Sequence, residues 1–352
     1  MNMTKHLLFI AFFTMPLLTI AQITINQGDM PQSGDTIRTS TSIDMGMINY
    51  EETGNDFTWD FSSLIPFSQT VDTFVSVTET PWLYQLVFFL SSNLARKLTE
   101  FDQYPGFQVT DTYEYYKSNN SDYRLVGNAA TLSGIPLPNK FQNPDIIYRF
   151  PLTAGDVDSS LSDYEISIPG IGYSGGWKKR VNHADGWGTL ITPYGSFETI
   201  RVKSDIIQFD SLYLDTLGIG FPFYRQYTEY KWLGDGFGLP LCTITDEGFF
   251  SDINYIDSIR SVIIGIPELE LNTQSLHILP NPSNGEFRIQ LNENTTQPLE
   301  VGVFSLNGNC IFRQEYQPAR EIIINLEAQI PSVYFVRVKS NSKITYGKVI
   351  LK

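Results

Sequence analysis

The sequence predicts an all-β protein, mainly antiparallel, with at most one or two helices, in which a large β domain is followed by a small one. Three observations carry that expectation. Apolar and polar residues alternate with a period of two, as in VYFVRVKS (333–340) and EFRIQL (286–291), which is the pattern of a half-buried strand. Turn signals such as TPYG (192–195) and PNPSNG (280–285) separate these stretches, with Pro fixing φ and Gly or Asn-Gly tolerating positive φ. A helical period is carried by a single segment.

Taken in order, the chain opens with Lys5 and then an uncharged apolar run from Leu7 to Ala21. That run is too short to cross a bilayer of ~30 Å as a helix, which needs about 20 residues. Thr19-Ile20-Ala21 supplies small side chains at the two positions that signal peptidase reads, so residues 1–21 are expected to be a secretory signal, cleaved before Gln22. TWDFSSL (58–64) reads as a short strand. Pro81 to Leu98 is the helix candidate, with Pro in the first turn and helix formers near its end. TYEYYKSNNSDYRLVG (112–127) reads as a hairpin turning at Lys-Ser-Asn-Asn-Ser, and DYEISIPG (163–170) as another strand.

From Gly186 the pattern sharpens. Thr192-Pro193-Tyr194-Gly195 is a tight turn, after which Ile200 and Val202 face one way and Arg201 and Lys203 the other. RQYTEYKWLGDGFGLPLCTITD (225–246) then gives a long strand, a Gly-rich corner and a second strand. The expected division is a β-rich domain over 22–265, a linker over 266–275 and a terminal β domain over 276–352.

The net charge is −14, and the acidic surplus lies entirely between the two ends of the chain. Such a surface repels phosphate backbones, so nucleic acid is not an expected partner. Aromatics at 14% and hydrophobic residues at 42% are enough to fill a core, so the chain is not a disordered one. The two cysteines, Cys242 and Cys310, fall one in each domain and read as isolated thiols without a disulfide.

The terminal eighty residues carry four pieces in order: LPNPSNGEF, VFSLNGNCI, IPSVYFVRV and GKVILK. Together they resemble the type A C-terminal sorting domain of type IX secretion cargo, a family of the Bacteroidetes. Pro331-Ser332-Val333-Tyr334 stands where that family has Gly before its aromatic strand. The resemblance implies an immunoglobulin-like sandwich of seven or so strands, the type IX secretion machinery as partner, and a secreted or outer-membrane surface location reached through the periplasm. Pro280, Asn281, Pro282, Gly285, Gly308 and Lys348 are the positions it marks. More diffusely, residues 145–250 resemble antiparallel half-barrels of secreted and periplasmic proteins, a group with no assigned activity, so the large domain is expected to be a β-sandwich or half-barrel.

Several patterns imitate catalytic motifs. GYSGG (172–176) fits Gly-x-Ser-x-Gly with Ser174 as nucleophile, but no amphipathic helix follows and the downstream imidazoles are only His183 and His277, so a glycine-rich turn is expected. The same glycines fit a dinucleotide fingerprint that also needs the missing helix. DVDSSLSDYEIS, from Asp156, begins like a calcium loop but has Leu161 where Gly belongs and Ser167 where Glu should close it. Once His6 and His277 leave with the ends, His183 and Cys242 alone cannot build a zinc site, and no cofactor is expected. Paired carboxylates for glycan hydrolysis stay open as an alternative, because spacing cannot select among so many acids. Asp35-Thr36-Ile37, Asp210-Ser211-Leu212, Asp215-Thr216-Leu217 and Asp257-Ser258-Ile259 match the acceptor pattern for Bacteroidetes O-glycosylation.

The expected function is a non-catalytic β-rich binding or structural protein outside the cell. Trp59, Trp177, Trp187 and Trp232, with Trp82, are the candidate stacking residues for a glycan or lipid ligand, set against ordinary core packing.

Overall fold

The strands before residue 261 hydrogen-bond into one sheet whose ends meet. The structure is a computed structural model that describes residues 23–44, 48–98, 108–168, 172–214, 219–248, 251–260, 276–291, 297–305, 310–327, 329–340 and 343–352. The signal segment, the linker over 266–275, Gly308 and the 215–217 acceptor pattern lie outside the described residues.

In chain order the elements of the large domain are β1 (Thr36–Asp44), β2 (Phe57–Asp60), β3 (Ser68–Val75), α1 (Trp82–Phe88), β4 (Leu94–Lys97), β5 (Val109–Ser118), β6 (Asp122–Leu132), β7 (Ile135–Arg149), β8 (Val157–Ile168), β9 (Gly172–Thr192), β10 (Gly195–Leu214), β11 (Ile219–Leu233), β12 (Cys242–Asp246) and β13 (Ser251–Ile256). Neighbouring strands run β10-β11-β12-β13-β1-β3-β4-β5-β6-β7-β8-β9, and β9 pairs again with β10. The half-barrel therefore closes into a ring, and the closing contact is β1 against β13, residues more than two hundred positions apart. Closure satisfies strand edges that an open sheet would leave bare. β2 stands outside the ring as a parallel partner of β9 over Gly188–Ile191, beyond the stretch that β8 covers.

One apolar cluster draws on β3 to β7 and on β9 to β11: Phe74, Leu94, Tyr116, Tyr123, Tyr148, Ala184, Ile200, Val202 and Leu233. Side chains from opposite walls can meet only inside, so this cluster lies within the barrel. Two others cover its outer face. Segment 48–64 lays Ile48, Tyr50, Trp59, Phe61 and Leu64 over Tyr230, Trp232, Cys242, Ile244, Ile253 and Tyr255. Helix α1 lays Tyr84 and Phe88 over Ala95, Tyr113, Tyr115, Val126 and Ala129, with Phe88 and Tyr115 stacked at 3.8 Å.

The alternation read at Ile200–Lys203 is present, since Ile200 and Val202 share the inner cluster. Arg201, expected on a polar face, is instead almost wholly buried beneath segment 48–64. Its guanidinium donates to Asp185 at 2.9 and 2.7 Å and to the Tyr50 carbonyl at 2.5 Å. The rings of Trp59, Tyr230 and Trp232 surround it within 6.0 Å. A cation can sit there because its charge and every hydrogen-bonding edge meet a partner.

Two further expectations need correction. The helix expected over Pro81–Leu98 stops at Phe88, and Leu94–Lys97 is strand. Ser92 and Ser91 donate to the Phe88 carbonyl at 2.9 and 3.3 Å, and Asn93 bonds both backbone groups of Ser118, which turns the chain into β4. The helix packs on β4, β5, β6 and β7. Gly172–Gly176 is not a turn but the first five residues of β9, and the segment after Asp156 is strand β8.

The small domain contains β14 (His277–Leu279), β15 (Glu286–Gln290), β16 (Leu299–Phe304), β17 (Cys310–Tyr316), β18 (Glu321–Asn325), β19 (Val333–Ser340) and β20 (Lys343–Ile350). Among the described residues these form a three-stranded sheet, β14-β15-β18, and a four-stranded one, β17-β16-β19-β20. Both turn their alternate apolar residues into one core, including Ile278, Phe287, Ile289, Val301, Val336 and Val349. This is the two-sheet sandwich that the alternation of FRIQL and VYFVRV requires.

Candidate functional site

The sorting positions converge in space. Pro280, Asn281 and Pro282 turn the chain between β14 and β15, and Asn281 reaches across to β20. Its Nδ2 donates to the Lys348 carbonyl at 2.7 Å and its Oδ1 accepts from the Ile350 N–H at 2.9 Å. Ser283, which the sequence reading did not single out, completes the join. Its backbone exchanges bonds with Ile350 and Lys352, and its hydroxyl donates to the Glu286 carbonyl at 2.6 Å while accepting from the Gly285 N–H. A serine between Pro and Asn-Gly was the available signal, because its hydroxyl can hold a turn. Gly285 has φ +116°, and a Cβ there would lie 2.7 Å from the Glu327 Cα. Only glycine fits both the conformation and the approach. The first and last sequence pieces are thus one structural unit, and the middle two lie on β16 and β19, which pair with each other. At the departure from the family pattern, Ser332 accepts from the Leu351 N–H at 2.9 Å.

Inside the barrel, a second cluster is ionic. Arg180 holds Asp145 at 3.2 Å and Glu229 at 2.9 Å, Lys231 holds Glu229 at 2.5 Å, and Lys178 lies 3.7 Å from Asp145. Across the interior, Arg96 pairs with Asp72 at 2.7 Å and Glu114 at 3.3 Å, and the Tyr116 hydroxyl donates to Glu114 at 2.6 Å. Tyr116, Tyr123 and Tyr148 stack between the two groups, with ring centroids 5.0 and 6.5 Å apart.

Burial alone would raise the carboxyls of Asp145 and Glu229, but the neighbouring cations outweigh it and hold both below the ordinary carboxylate range. Burial pushes the Tyr116, Tyr123 and Tyr148 phenols upward. Glycoside hydrolysis needs one carboxyl kept protonated beside another left free. Asp145 and Glu229 offer neither, being ionised and occupied. Asp158 is raised by burial, and its near partner is the Asn182 amide at 3.1 Å.

Ser174 and His183 share β9, nine residues apart, which separates them by about 30 Å and points them to opposite faces. They form no dyad. Among the described residues no group of three or more His, Cys, Asp or Glu is placed to hold a metal ion. Cys242 and Cys310 are both free thiols.

The tryptophans do not gather on one face. Trp59 and Trp232 lie buried together, their rings 5.8 Å apart edge to face, and Trp187 packs half-buried against the inner cluster. Trp82 is 67% exposed on α1 and Trp177 is 39% exposed on β9. Trp177 stacks on Phe209 of β10 at 6.5 Å. A groove of 1210 Å³ runs beside that pair, lined by Lys179, Asp205, Tyr224, Gln226 and Thr228 and bounded by Arg313.

The fold is that of an all-β protein, a closed barrel followed by a terminal two-sheet sandwich. Residues 277–352 match the family described as Secretion system C-terminal sorting domain. That terminal match supports export of the chain as type IX secretion cargo, through the periplasm to the cell surface or beyond. No curated protein matches it. A crystal structure of an exported protein with a YmcC-like fold from Bacteroides fragilis is similar over 66% of this chain and 98% of that one, at 12% identity and a TM-score of 0.23.

Proposed function

We infer that the barrel is a non-catalytic binding protein displayed outside the cell, and that it meets its ligand on its outer face. The observation that supports this reading is the packed interior: an apolar cluster joins β3–β7 to β9–β11, and Asp145 and Glu229 beside it are matched to Arg180, Lys178 and Lys231. Such an interior ties the walls of the barrel together. The sorting sandwich supplies delivery, with the domain boundary in the expected linker over 266–275. Pro280, Pro282 and Gly285 shape the turn from which Asn281 ties β20 at Lys348 and Ile350, and that edge is the surface for the secretion machinery to read.

A thermal-shift screen of the full secreted chain against oligosaccharides and lipid vesicles tests the binding reading. A ligand that prefers the native state raises Tm by mass action. The same preparations should release no reducing sugar from any polysaccharide in the screen. Steady release that disappears on replacing a single carboxylate would replace the binding reading with a hydrolase.

A further inference from the structure

We propose that the outer face of the long β9–β10–β11 strands is a stacking platform for a neutral glycan, with Trp177, Phe209 and Tyr224 as its central row. This rests on the reading that the barrel binds ligand on its outside, and names the place and the ligand class.

The row is set by register. Phe209 pairs directly with Trp177 on β9 and with Tyr224 on β11. Residues directly opposite in antiparallel strands share a face. Three rings therefore cross three strands in one line, about 10 Å wide at ~4.8 Å per strand. Trp177 and Phe209 are inclined by only 23°, and Tyr224 is 61% exposed. Four residues along the same strands, and so on the same face, Tyr173 pairs with Tyr213. That second pair lies about 13 Å from the first row.

Glycine shapes this face. A Cβ at Gly175 would fall 2.3 Å from the Tyr173 hydroxyl oxygen and 2.7 Å from its Cζ. The Tyr173 ring therefore lies down along the sheet over Gly175, toward Trp177. The glycines that imitate a nucleophile elbow in the sequence serve here to lower a ring onto the strand. Tyr213 remains 42% exposed beside it.

Flat, partly exposed rings stack against the C–H faces of pyranoses, while hydroxyl groups need donors and acceptors at the margin. Those stand on the same outer face: Lys179 and Gln226 flank Ile207 in the next row, and Thr228 donates to Asp205 at 3.1 Å in the row after it. Asp163, opposite Trp177 on β8, adds a carboxylate. An acyl chain would strand these polar groups. The chain's net charge of −14 disfavours polyanionic sugars, which leaves neutral glycans.

The test is affinity electrophoresis of the full secreted chain through gels containing mannan, dextran, a soluble mixed-linkage β-glucan or hyaluronan, with phosphatidylcholine vesicle flotation as a separate arm. At least one neutral glycan should retard the protein. Trp177→Ala and Tyr224→Ala should each weaken that binding about tenfold or more, with unchanged thermal midpoints because both side chains are partly exposed. Trp82→Ala, an exposed ring on α1, should bind as the wild type does. Failure of every neutral glycan overturns the proposal, as does retardation by hyaluronan alone or retardation indifferent to Trp177 and Tyr224. Vesicle binding that depends on Trp177 would overturn the glycan while keeping outer-face binding. Binding to neither glycan nor vesicle removes both readings.

Discussion

The side chain of Asn281 holds Ile350 by the backbone: its Oδ1 accepts the Ile350 N–H at 2.9 Å. The partner bond, from Nδ2 to the Lys348 carbonyl at 2.7 Å, makes the hold two-pronged. A turn in the three-stranded sheet is thereby tied to a strand of the four-stranded sheet, bridging the two layers of the sandwich at their margin.

Asn281→Ala should loosen that margin first. Two solvent-accessible hydrogen bonds are lost, at about 1 kcal/mol each or less. Hydrogen exchange at Ile350 and Lys352 should speed up markedly, while amides of β16 keep their protection. Equal acceleration across both sheets would mean that the Asn281 bonds hold the whole sandwich and not its edge.

Arg201 is the residue on which the outer cover of the barrel depends. Arg201→Ala removes the bonds to Asp185 and to the Tyr50, Glu51 and Glu52 carbonyls, and leaves a buried hole among three rings. A loss of ~3–5 kcal/mol is expected, the usual cost of deleting one side of a buried, fully bonded ion pair. Arg201→Lys should recover little, because an ammonium cannot fork between a carboxylate and carbonyls. Urea unfolding measures both; a loss below about 1 kcal/mol for Arg201→Ala would contradict this role.

The ionic interior predicts an acid limb. Asp145 and Glu229 are held below their ordinary range in the folded state, so the unfolded chain binds protons first as pH falls. Their stabilisation is fully present above the unfolded carboxylate values of about 4 and is lost as pH falls through the lower folded values. Urea midpoints should agree at pH 7 and pH 5 and drop between pH 4 and pH 2. Glu229→Gln should be less stable at pH 7, where Lys231 loses its carboxylate and Arg180 keeps only Asp145, and should show a shallower acid limb. An unchanged limb in that variant would place the acid sensitivity elsewhere.

The local strands were legible because a period of two survives in the sequence, as at FRIQL and around Ile200 and Val202. Ring closure was not, since pairing Thr39 with Ile256 leaves no mark in either strand's own pattern. Arg201 misled for a related reason: alternation tells which residues share a face but not that segment 48–64 will cover the polar one. At Pro81–Leu98, helix formers outweighed Ser91-Ser92-Asn93, whose side chains end the helix. Trp177 was legible as a stacking candidate; Phe209 and Tyr224 were not, because only register brings them beside it.

The central claim is that a folded barrel over residues 23–260 is carried out of the cell by the address in 276–352. Protease shaving of intact cells tests it most directly. The full chain should be cut, or found released into the medium, whereas a chain ending at residue 260 should stay in the periplasm, folded and resistant until the outer membrane is opened. Equal exposure of the shortened chain on intact cells would contradict the account.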